Sequence, residues 1–162
     1  MTINSEKFNN LVLYIGNSPY VQFLGTTKLW KLIYFIDTNA LRETGSTITG
    51  SEYIKYEHGP VPSRGEKILK QLQRGNEIAI EQECYGSYRI NKIVCQVAPE
   101  NNILSEYEIS LADKICRDYG SKTASYLSEI SHSEPAWYYA KVLEKLSPEL
   151  MLYGAGEDSE GL

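Results

Sequence analysis

The chain has 162 residues, 42% of them hydrophobic and 23% charged, a size that fits one domain around a single core rather than two. A chain of this length buries enough surface to fold without disulfide or metal staples. With 16 Lys+Arg against 21 Asp+Glu the formal charge is −5 and the pI about 5.1, the opposite of the basic stripe that phosphate neutralisation demands, so direct nucleic-acid binding is not expected.

From Asn4 or Ser5 to Gly16, Phe8, Leu11, Val12 and Ile15 recur at offsets of three and four, which predicts a first helix behind a polar cap. Asn17, Ser18 and Pro19 break it. Thr26 or Thr27 is the expected cap of a second helix, in which Leu29, Leu32, Ile33, Ile36, Ala40 and Leu41 keep the same period up to Gly45. Trp30, Tyr34 and Phe35 widen its apolar stripe, and a helix apolar on most sides belongs at the centre of a fold.

The stretch ITGSEYIKYEHGPVP, from Ile48 to Pro62, predicts a strand through Tyr53, Ile54 and Tyr56, then a rigid turn at Gly59-Pro60-Val61-Pro62. Tyr53 and Tyr56 are read as sharing one face of that strand, a face that is either core or contact surface. Ser63 is the expected cap of a third helix running to Arg74, with Ile68, Leu69 and Leu72 inward. An antiparallel hairpin is expected from Ile78 to Val97 around Gly86-Ser87, with Asn91-Lys92 a potential interruption. Ser105 and Glu108 form a capping-box signature before Ile109, Ala112, Ile115, Cys116 and Tyr119, and Gly120 closes that helix. Ser121 is the expected cap of a short helix containing Ala124, Leu127 and Ile130, and a last helix is expected near Pro135. The domain is expected to span residues 1–153. The remainder, GAGEDSEGL at 154–162, lacks apolar periodicity and is expected to be a flexible acidic tail. The fold class expected is α+β: a mainly helical single domain with a small antiparallel hairpin.

Cys84, Cys95 and Cys116 form an odd set without C-x-x-C spacing, which points to a reducing, cytoplasmic setting. The first twenty residues lack a basic region and a cleavage site, and no stretch stays apolar for about 18 residues, so neither secretion nor membrane insertion is expected. Thirteen Tyr against three Phe suits interfaces, because Tyr covers apolar area while its hydroxyl meets water.

Little in the chain points to catalysis. With His58, His132 and scattered Cys as the imidazole and thiolate donors, no zinc spacing is met; each Cys is read as a small buried hydrophobe, and no metal or cofactor is expected. Gly120-Ser121-Lys122-Thr123 breaks the order of a phosphate loop and follows a helix rather than a strand. G-x-S-x-G is missing. Glu81 with Glu83, and Glu106 with Glu108, fall where acids are solvated or oriented on helix dipoles.

Two stretches are distinctive together: Lys28 to Pro62, KLWKLIYFIDTNALRETGSTITGSEYIKYEHGPVP, and Leu127 to Trp137, LSEISHSEPAW. They resemble the Panacea domain, the SocA-like antitoxin family that also includes phage-associated GepA-like proteins. In that family a helix K-L-x-K-L-x-Y-F leads to G-x-x-I-T-G, a strand and G-P-V-P, with a late S-H-x-x-x-x-W. Here these are Lys28, Leu29, Lys31, Leu32, Tyr34 and Phe35, then Gly45, Ile48, Thr49 and Gly50, then Gly59 to Pro62, then Ser131, His132 and Trp137.

The resemblance implies an antitoxin that binds and neutralises a protein toxin encoded by the adjacent gene, without catalysis or cofactor. Its motif and candidate partner-binding residues are Tyr53, Tyr56, His58, Gly59, Pro60, Val61, Pro62, His132 and Trp137. Each also has a structural use: Gly45 and Gly50 suit positive-φ turns, Pro60 and Pro62 stiffen the chain, Trp137 packs on a helix, and His132 bonds beside Ser131. His58 is divided between structure and binding. Two alternatives stand beside this: an antitoxin that delivers its toxin to a protease, and an enzyme using His58 or His132 as general base in a Tyr-lined cleft.

Overall fold

Asn4 opens the first helix of the computed structural model, which describes residues 2–154 apart from the Tyr85 side chain. Asn4 Oδ1 accepts from the Lys7 amide at 3.1 Å. Helix α1, Ser5–Asn17, turns Phe8, Leu11, Val12 and Ile15 fully inward, as their spacing predicts. Helix α2, Thr26–Thr44, starts behind Gly25 and not behind a threonine. An N-cap needs extended backbone, which Gly25 supplies at φ −95° and ψ 174°, so Thr26 and Thr27 fall inside the first turn. Gly45 ends the helix at φ +85°, the left-handed conformation that glycine adopts without penalty. Trp30, Tyr34 and Phe35 are buried together with the predicted stripe. Helix α2 is therefore enclosed on most sides, as its composition suggests.

Strand β1, Tyr53–Tyr56, pairs antiparallel with β2, Gly59–Pro62. The G-P-V-P segment is thus a strand, correcting the expected rigid turn; the turn is Glu57-His58. Prolines are tolerated because Ile54 faces Val61 and Tyr56 faces Gly59 across the ladder, leaving Pro60 and Pro62 at positions whose nitrogen points outward. Along the other edge of β1, the Lys55 amide donates to the Glu144 carbonyl at 2.9 Å and the Leu146 amide to the Tyr53 carbonyl at 2.8 Å.

Helix α3, Gly65–Arg74, buries Ile68, Leu69 and Leu72 but is not capped by Ser63. The Ser63 amide donates to the Glu52 carbonyl at 2.9 Å and so extends the β pairing; Arg64 takes the cap position. A second hairpin follows: β3, Ile78–Tyr85, and β4, Tyr88–Cys95, meet around Gly86-Ser87. Asn91 and Lys92 do not interrupt it. Lys92 lies opposite Glu81, its ammonium reaches Glu83 at 3.2 Å, and its backbone bridges to Gly25.

Helix α4, Glu106–Tyr119, carries the predicted capping box between Ser105 and Glu108. Ala112, Ile115 and Cys116 are buried, whereas Ile109 is exposed on the outer side. Helix α5, Ala124–His132, is capped by Thr123 and not Ser121: Thr123 Oγ1 accepts from the Tyr126 amide at 3.1 Å. Helix α6, Pro135–Tyr138, is a single turn, and a short 3-10 turn at Leu150–Leu152 buries Met151. The architecture is α+β and mainly helical, with two small antiparallel hairpins where one was expected. One hydrophobic cluster runs from Phe8 to Met151. Of the expected tail, Gly154 is described and buried, while 155–162 lie outside the described residues. Among the described residues no helix is long and apolar enough to cross a membrane.

Candidate functional site

The I-T-G turn is locked onto α2 by Asp37, a fully buried carboxylate. Its Oδ1 accepts the Ile48 amide at 2.9 Å and the Thr49 amide at 3.0 Å. Its Oδ2 accepts the Thr49 hydroxyl and, at 2.6 Å, the Tyr53 hydroxyl. Burial raises the Asp37 pKa against the pull of these bonds, and burial followed by the Asp37 charge holds the Tyr53 phenol well above its ordinary value. Tyr53 also packs edge-to-face on Tyr34 at 5.1 Å.

Nearly two turns earlier on α2, Lys31 is fully buried, and its ammonium donates to the Pro60 carbonyl at 3.1 Å. Burial pushes its pKa down to about 7. Gly59, at φ +110°, lies directly over this lysine: a Cβ there would meet Lys31 Cε at 2.3 Å and Ser131 Oγ at 2.7 Å. Only glycine fits that approach. The Ser131 hydroxyl donates to the Ser128 carbonyl at 2.8 Å, and the Ser128 hydroxyl to the His58 carbonyl at 2.8 Å, which ties α5 to the β1–β2 turn.

His132 and Trp137 stack at 3.9 Å between ring centroids with 15° between planes, and the Lys55 ammonium sits 3.9 Å from the Trp137 ring centre. Trp137 Nε1 donates to the Tyr56 carbonyl at 3.3 Å. Burial, then the neighbouring Lys31, His58 and Lys55, lowers the His132 pKa.

These elements wall a cleft of about 580 Å³ between the start of α2, the start of β4, the His58 turn and α5. His58, which is exposed, and His132 both line it. The remaining expected site residues divide by burial. Tyr53, Gly59, Pro60 and Pro62 are buried, Val61 and Trp137 are partly covered, and Tyr56 is 44% exposed. Tyr53 and Tyr56 therefore do not share a face, because residues three apart in a strand point to opposite sides. Cys116 is buried and Cys95 partly so, but Cys84 is exposed near the far end of the second hairpin, unlike the buried hydrophobe expected. Among the described residues no group of three or more His, Cys, Asp and Glu side chains could hold a metal ion.

Lys28, Lys31 and Asp37 escaped notice as site residues. The Lys28 ammonium is buried between the Gln22 and Gly120 carbonyls. Their signal is present in the sequence: a charged residue on a helix apolar on most sides has nowhere to go but inward.

The family model for Antitoxin SocA-like, Panacea domain, matches residues 29–138. That is well over half of the chain, which belongs to this family. No curated protein and no solved structure matches it.

Proposed function

We propose that this member of the Antitoxin SocA-like, Panacea domain family is the antitoxin of a toxin–antitoxin pair, a cytoplasmic protein that neutralises a toxin encoded by the adjacent gene through direct binding. The observation that carries this is the use made of the family motif. Of its residues, Lys31, Thr49, Tyr53, Pro60 and Ser131 are buried and bond to one another, to backbone or to the buried Asp37, and Gly59 packs on Lys31. The motif specifies a frame, and the surface around it is left to differ with the partner.

The cleft gathers two histidines, yet the Ser128 hydroxyl that lines it with them donates to the His58 carbonyl. A hydroxyl committed to backbone in this way is not poised as a nucleophile, which favours binding over hydrolysis. Co-expression tests the proposal. The open reading frame beside this gene should be toxic alone and harmless when this chain is co-expressed, and the two purified proteins should form a stable complex. Protection that persists in cells lacking ATP-dependent proteases supports occlusion; protection lost there indicates delivery to a protease.

A further inference from the structure

Phe23 is 65% exposed and holds a left-handed backbone at φ +51°, an outlier for a bulky side chain. Its neighbours are fixed on both sides. The Gln22 amide donates to the Gly120 carbonyl at 3.0 Å, the buried Lys28 ammonium joins the Gln22 and Gly120 carbonyls, and the Ile93 amide donates to the Leu24 carbonyl at 2.8 Å. Surroundings that over-determine a strained residue are what allow strain to persist, and such strain gathers at binding sites. Here the strain displays an aromatic ring.

Beside it lies a groove of about 380 Å³ walled by Phe23, Tyr88, Ile90 and Ala124 and continuous with the histidine cleft. Tyr88 is 76% exposed. The groove is lined by Lys28 and Lys122 and by no carboxylate, and the cleft it opens into is lined by Arg89 and Glu129. On a chain of net charge −5 this local excess of cations selects a partner of opposite sign. A second exposed apolar cluster, Tyr138, Tyr139, Val142 and Leu143, also carries the exposed Lys141, while Lys145 beside it is paired with Glu52 at 2.8 Å.

We infer that this groove receives an acidic, apolar segment of the toxin, with Phe23 and Tyr88 as the aromatic contacts and Lys122 facing its carboxylates. This rests on the antitoxin reading and adds the surface and the partner's chemistry. The probe is the purified product of the adjacent open reading frame, titrated by calorimetry. Phe23→Gly combined with Tyr88→Ser should weaken binding about 30-fold or more, as loss of buried aromatic contacts does. Thermal stability should hold, because glycine relieves the positive φ. Lys122→Glu should weaken binding several-fold, by a factor that shrinks at high salt. Tyr139→Ser should bind as wild type. Unchanged affinity in the groove variants, with loss in Tyr139→Ser, would place the toxin on the other cluster and overturn this inference while leaving the antitoxin reading intact. Failure of the wild-type chain to bind the product at all would overturn both.

Discussion

The Tyr53 hydroxyl donates to Asp37 Oδ2 at 2.6 Å, and both side chains are closed off from water. With the Ile48 and Thr49 amides and the Thr49 hydroxyl, Asp37 accepts four hydrogen bonds and joins α2, the I-T-G turn and β1 at one point. Asp37→Ala strands four buried donors and is expected to cost about 3 kcal/mol or more, whereas Tyr53→Phe, which removes one donor from a carboxylate still bonded three times, should cost about 1–2 kcal/mol. Urea denaturation of both variants checks the ranking. Equal small losses would mean that the carboxylate does not organise the turn.

Lys31 gives the fold a pH dependence of definite sign. Unfolded, its ammonium titrates near about 10.4, while burial brings the folded value down to about 7. Between these values the unfolded chain holds a proton that the folded chain lacks, so this group adds stability as pH rises through the window, at up to about 1.4 kcal/mol per pH unit. Below the folded value the burial penalty is felt in full. Lys31→Met should flatten the rise, and denaturation midpoints taken between neutral and mildly alkaline pH test it. An identical slope in the variant would remove Lys31 as the cause.

His132 responds to acid with the same sign, in a lower pH window. Its folded pKa lies below the ordinary value near 6.5, through burial first and then its neighbours Lys31, His58 and Lys55. As pH falls below about 6.5 the unfolded imidazole takes up its proton first, and stability is lost down to the folded pKa. His132→Phe keeps a ring against Trp137 but cannot titrate, so it should lose less stability in that interval and still bind its partner. Proton NMR of the imidazole reads the pKa directly. A value at or above 6.5 contradicts this account.

Burial, not the size of the group removed, separates two truncations to alanine. Ile33, fully enclosed on α2, should cost about 2–5 kcal/mol on truncation to Ala. Tyr56, 44% exposed on β1, should cost less than about 1 kcal/mol, since its carbonyl rather than its ring receives Trp137. Chemical denaturation of the pair decides it. A comparable loss for Tyr56→Ala would mean that its ring is part of the core.

Periodicity makes α1, α2 and α4 legible in the sequence, because Phe8, Leu11 and Ile15, or Leu29, Leu32 and Ile36, repeat with the helix and are buried accordingly. Caps were less legible. Ser63 has the right chemistry, yet its amide is claimed by Glu52 on the facing strand next to the Tyr53–Pro62 pair, a competition that local sequence does not record. The face shared by Tyr53 and Tyr56 was a failure of spacing, since an interval of three fits a helix and not a strand. The frame around Asp37 and Lys31 was hidden for another reason. Lys31 is satisfied by the Pro60 carbonyl and Asp37 by two backbone amides together with the Thr49 and Tyr53 hydroxyls, and the backbone half of that set has no residue-type signature.

In β2 the prolines at 60 and 62 remove the outward N–H groups, and the Pro60 carbonyl is taken by the Lys31 ammonium. One lysine thereby does the office of an absent neighbouring strand, while residues 143–146 close the far border of β1. The small sheet is finished on both flanks, so it cannot be lengthened by a visiting chain, whether a second copy or a toxin. Recognition through this part of the protein has to proceed by side chains, and a partner that docks by adding a strand must look to the other hairpin.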